Sequence, residues 1–151
     1  MKRWRAVLVG AAVAAAPAAA QATPVDALFR DFGLFGTWAT ECAAPASPSN
    51  PHVRITAQLS GDVLEDHNLG ADYAVNHYRF VSAERISADQ LSTRVIFQPG
   101  SEGEEQQTLV FRVRKNTRRT MFNQPDGGPV RVKDGIVLAR ASKTPTLMKC
   151  D

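Results

Sequence analysis

The chain has only two cysteines, Cys42 and Cys150, and the second is the penultimate residue. A bond between them would tie the segment Gly36-Thr37-Trp38-Ala39-Thr40-Glu41-Cys42 to the last residues and close a loop of roughly a hundred residues. In the chain-entropy model such a loop is worth roughly 4–5 kcal/mol. That is a large share of the ~5–15 kcal/mol by which domains of this size are stable. A bond of this kind persists only in an oxidising compartment, so the pairing depends on where the chain is sent. The alternative of a redox pair has no C-x-x-C behind it.

The N-terminus supplies the compartment. Lys2, Arg3 and Arg5 form a positive region, Ala6 to Ala16 is a small apolar run, and Ala20-Gln21-Ala22 fits a small-residue cleavage site. The run is too short and alanine-rich for a membrane span, which needs about 20 apolar residues. The expectation is a signal peptide over 1–22, removed after Ala22, and a mature domain over 23–151 that is periplasmic or secreted. Cys42 and Cys150 then read as one disulfide. Of 18 Lys and Arg against 15 Asp and Glu, three basic residues fall in the leader, leaving 15 against 15. The basic balance belongs to the discarded peptide, which argues against nucleic acid and anionic membrane as partners. The remaining charge is uneven: residues 23–109 are mainly acidic and residues 110–151 mainly basic.

Beyond the leader, apolar periodicity predicts one short helix and then strands. Thr23 and Pro24 read as a helix start, and Val25, Leu28, Phe29 and Phe32 lie on one face at helical spacing before Gly33 stops it. After the proline-rich loop 43–51, alternation takes over: Val53, Ile55, Ala57 and Leu59; then Val63 to Asn68; then Tyr73 to Val81. Leu91, Thr93, Val95 and Phe97 alternate in turn, followed by Leu109, Phe111 and Val113. Thr120 to Asn123 reads as a further short strand. Val130 to Lys133 and Ile136 to Arg140 flank Asp134-Gly135, a pair suited to a two-residue hairpin turn. About eight short strands with tight links favour an antiparallel meander. The fold expected is all-β: a small up-and-down antiparallel barrel with a short N-terminal helix, whose closure removes sheet edges. An open sandwich or a cone-like curved sheet is the competing architecture.

Gly36-Thr37-Trp38, preceded by a helical turn and opening the first strand, resembles the G-x-W of lipocalins and related calycin barrels. The resemblance implies that Trp38 packs across the closed end of the barrel, under an arginine from the end of the last strand. Arg140 occupies a comparable place, so Gly36, Trp38 and Arg140 are expected to form the barrel-end packing. The family's T-D-x-x-x-Y turn is not found. The order of leader, G-T-W-A-x-x-C, proline-rich loop and late cysteine is also similar to that of small exported proteins of Proteobacteria.

Candidate chemistry is sparse. His67 and His77 lie on neighbouring strands near Glu65, Asp66 and Asp72, but their spacing is not a recognised ligand pattern, and the reading is rim histidines with no metal. No G-x-S-x-G, paired-carboxylate or phosphate-cradling motif is present, so no catalytic residue, cofactor or enzymatic activity is assigned. Two non-enzymatic functions follow. In the first, the barrel interior binds a small apolar or amphipathic ligand, with Phe80, Phe97, Phe111 and Phe122 as candidate ligand-facing residues. In the second, the chain is an interaction module, such as an inhibitor of a cell-wall hydrolase or an envelope assembly factor. Arg112, Arg114, Arg118, Arg119 and Arg131 would then form a basic contact patch for an envelope protein.

Overall fold

The computed structural model describes residues 23–151; the leader assigned to residues 1–22 lies outside the described residues. One helix, α1 (Val25–Asp31), precedes eleven strands: β1 (Gly36–Ala39), β2 (His52–Ala57), β3 (Val63–Asn68), β4 (Asn76–Arg85), β5 (Gln90–Phe97), β6 (Glu105–Arg114), β7 (Thr117–Pro125), β8 (Val132–Lys133), β9 (Ile136–Val137), β10 (Ser142–Lys143) and β11 (Thr146–Lys149). β1 to β7 pair in sequence order, all antiparallel, and β11 inserts between β7 and β1. The result is a closed antiparallel barrel of eight strands, compatible with a lipocalin-like fold.

Alternation sets the inside and the outside. Along β5, Leu91, Thr93 and Val95 are buried, and along β6, Gln107, Leu109, Phe111 and Val113 are buried, with their neighbours turned outward. Two extra residues interrupt the ladders: Val81 in β4 between Phe80 and Ser82, and Met121 in β7 between the partners of Phe111 and Val110. Such bulges bend and twist a strand, which a ring this small requires.

α1 stoppers one end. It begins at Val25 with Pro24 as its N-cap and no side-chain cap, so the cap expected from Thr23 is not used. Pro24 has an extended ψ of 145°, and its carbonyl accepts the first helical bond, from the Leu28 N–H at 3.2 Å. At the other end the Leu34 N–H reaches the Phe29 carbonyl at 2.9 Å and the Gly33 N–H the Arg30 carbonyl at 2.9 Å. This is a Schellman stop, with Gly33 in the left-handed region at φ 64°. The turn points Leu28, Phe29, Phe32 and Leu34 into the barrel, where they join Trp38, Ile55, Val63 and Phe80 in one core. The Phe29 and Phe80 rings meet at 4.5 Å, edge to face. Trp38 is fully buried, and its indole N–H donates to the Leu34 carbonyl at 2.8 Å.

Lys149, not Arg140, stands over the Trp38 ring, with its Nζ 5.5 Å from the centroid. The strand that closes the barrel is β11, which follows Arg140, and its register sets Lys149 directly opposite Trp38. Lys149 also donates to the Gly33 carbonyl at 2.9 Å, tying strand end to helix stop. Arg140 belongs instead to the excursion β8–β10, joined to the barrel where Val132 pairs with Asn123. Cys42 and Cys150, just past the paired β1 and β11, are disulfide-bonded. The hairpin at Asp134-Gly135 forms as the sequence predicts, both residues having positive φ.

Candidate functional site: a polar-floored cavity in the barrel

The half of the barrel away from α1 is not filled. It holds a cavity of about 440 Å³, within the ~300–1,000 Å³ typical of small-molecule sites. Val53, Tyr78, Phe97, Leu109, Phe111 and Leu147 give it apolar walls, while Glu65, His67, Gln107, Arg118 and Asn123 bring polar groups inside. The exposed Arg131 and Arg140 mark its mouth.

Register explains how charge comes to lie inside. In β3 the inward positions are Val63, Glu65 and His67, facing Ala57, Ile55 and Val53 of β2. In β7 Arg118 pairs with the inward Val113 and Leu147. Glu65 and Arg118, only 2% and 3% exposed, meet across the interior in a two-pronged ion pair at 2.7 and 3.2 Å. The guanidinium also stacks on Phe111, 4.4 Å from the ring centroid. The pair therefore sits at the boundary between the packed core and the cavity.

His67 completes this floor. Its Nε2 lies 2.6 Å from Glu65 Oε1, and its ring packs on Tyr78 at 4.9 Å. A carboxylate can only accept, so His67 Nε2 carries the proton in this bond. Burial alone would raise the Glu65 carboxyl, but the charge of Arg118 and the hydrogen bond and charge of His67 outweigh it and hold the group at about 2. Tyr78 is shifted the other way: burial, reinforced by the Glu65 charge, pushes its phenol well above the ordinary value, so it stays neutral. A second chain of bonds climbs toward the mouth. Asn123 donates to Gln107 at 2.7 Å, Gln107 to Glu105 at 2.6 Å, and Arg131 grips Glu105 with two bonds of 2.7 and 2.8 Å.

Of the four phenylalanines expected to face a ligand, Phe97 and Phe111 line the cavity. Phe80 lies deeper in the core against Phe29, and Phe122 lies on the outer face, paired with Val110. The five arginines expected to form one patch are divided: Arg112 and Arg119 are cross-strand partners, with Arg114 two residues along from Arg112, while Arg118 and Arg131 stand apart from them. Arg112 and Arg114 share Asp89 at 3.8 and 2.7 Å, Arg118 is inside the barrel, and Arg131 is held by Glu105. Arg119 donates to Thr144 Oγ1 at 3.0 Å and to the Gly135 carbonyl at 2.6 Å. The two strand histidines point opposite ways: His67 inward, His77 outward, where its Nδ1 meets Asp66 at 2.6 Å. Among the described residues no group of three His, Cys, Asp or Glu side chains is placed to hold a metal ion.

The buried Glu65–Arg118 pair and the roles of Tyr78, Gln107 and Asn123 were not foreseen from the sequence. The signal that could have found them is the alternation itself, which places Glu65 on the face of Val63 and Tyr78 on that of Phe80. No family model matches the chain, and no match of significance is found among curated proteins or solved structures.

Proposed function

We propose that this chain is an exported, non-enzymatic, lipocalin-like binding protein whose barrel takes up a small amphipathic ligand. The observation that carries the reading is the cavity: a barrel of this size can fill its interior with side chains, and this one leaves about 440 Å³ open. Its lining favours an amphipathic guest over a purely apolar one, because inward polar groups reward a ligand able to hydrogen-bond. The disulfide and the leader-like N-terminus support export to an oxidising compartment. The competing interaction reading keeps Arg112, Arg114 and Arg119 as a smaller basic surface, but Arg118 is buried inside the barrel and Arg131 is held by Glu105.

The test is uptake of phenylnaphthylamine, a neutral dye whose fluorescence rises in apolar surroundings. Wild-type protein is expected to bind it saturably. Leu109→Trp, which puts a larger side chain into the cavity wall, is expected to weaken uptake at least tenfold while leaving the near-UV circular dichroism folded. Uptake equal in both proteins, or absent from the folded wild type, refutes the reading.

A further inference from the structure

The cavity has an excess of one sign of charge. Among the described residues, Glu65 is the only acidic side chain lining it, against four arginines: Arg118, Arg119, Arg131 and Arg140. Glu65 answers Arg118, and Glu105 answers Arg131. Among the described residues, Arg119 and Arg140 have no carboxylate partner. Arg119 is half-buried and held by Thr144 and Gly135, so its guanidinium is oriented before any ligand arrives. A fixed, part-desolvated cation that bonds only to neutral groups and has another cation, Arg112, as its cross-strand partner is a poor arrangement for stability alone. It is well suited to an oxyanion, which a guanidinium recognises through charge-assisted bonds.

We infer that the ligand is an amphipathic anion, with an oxyanionic head near Arg119 and Arg140 and an apolar body against Tyr78, Phe97, Leu109 and Leu147. This rests on the binding reading and adds the sign of the guest's charge. An alkylammonium would meet net positive charge, and a neutral guest would leave it unanswered. The Glu65–Arg118 pair serves as a closed floor in this scheme, neutral as a unit.

Three probes with the same chain isolate the head group: decanoate, decanol and decylammonium, each titrated to displace bound phenylnaphthylamine. Decanoate is expected to displace the dye at a concentration at least tenfold below that of decanol, with decylammonium weakest. Raising salt should narrow the gap. Arg140→Gln, at an exposed side chain with no partner to lose, should cut the preference for decanoate over decanol about threefold or more, and Arg119→Gln should do the same. Arg54→Gln on the outer wall should leave it unchanged. If decanol matches decanoate while the dye still binds, the charge inference falls and the binding reading stands. If both arginine variants keep the full preference, the assignment of the head-group site is wrong. If the wild type takes up no dye, the binding reading fails and this inference with it.

Discussion

Glu65 and Arg118 form the least expendable pair in the molecule. Each is nearly without solvent, so removing Glu65 strands a buried guanidinium and removing Arg118 leaves the buried Glu65 carboxylate with its His67 bond alone, each at a cost of about 3–5 kcal/mol. Glu65→Leu and Arg118→Met are each expected to lower stability by that amount in urea unfolding. The double variant Glu65→Leu/Arg118→Met should lose less than either single change, because no buried charge is stranded. A double-variant loss equal to the sum of the singles would contradict the pairing. The pair also predicts an acid limb. The Glu65 carboxyl is lowered in the fold to about 2 from an ordinary 4.5. A lowered carboxyl stabilises fully above its unfolded value and loses that contribution as pH falls toward the folded one. Wild-type stability should therefore decline from about pH 4.5 down to about pH 2, and the double variant should show a shallower decline in the same series. Equal slopes would mean that Glu65 is not the linked group.

Among the elements, α1 and its stop fill one end of the barrel with Leu28, Phe29, Phe32 and Leu34. Gly33 has φ 64°, and a methyl group there would meet nothing within 4 Å, so Gly33→Ala tests backbone strain alone. It should cost about 1–2 kcal/mol and lower the thermal midpoint, while the equivalent change at Gly103, whose φ is not in the left-handed region, should not. The strands β2, β5 and β6 were legible because each has several inward apolar residues in strict alternation, β3 because it returns directly from the Ser60-Gly61-Asp62 turn, and the β8–β9 hairpin because Asp134-Gly135 fits only a narrow set of turns. β11 was not legible. Thr146-Leu147-Met148-Lys149 has one buried side chain, Leu147, and a single inward apolar residue cannot display a period. Missing that strand also misplaced the residue above Trp38, since the barrel was taken to end at Arg140 instead of Lys149. The site was legible only in part: Phe97 and Phe111 follow from alternation, but a buried Glu65 reads from sequence as a surface residue, because its partner Arg118 lies 53 positions away.

For the molecule as a whole, the ring closes only where β11 meets β1, a short contact backed by the Cys42–Cys150 bond. The Cys150 N–H donates to the Thr37 carbonyl at 2.8 Å, and Asp151 accepts from the Thr37 N–H at 2.7 Å. Cys42→Ser/Cys150→Ser should cost about 2–5 kcal/mol, consistent with the long loop it releases, and hydrogen exchange should show β11 and β1 losing protection first. Protection lost uniformly across the barrel would mean that the bond does not serve this seam. The central claim is that the open half of the barrel holds a small molecule. Native mass spectrometry of the protein, produced in cells under oxidising conditions and purified without detergent, tests it most directly. The account predicts a reproducible mass above that of the oxidised polypeptide on wild-type protein, absent from Leu109→Trp. A bare polypeptide mass in every preparation of both proteins would contradict it.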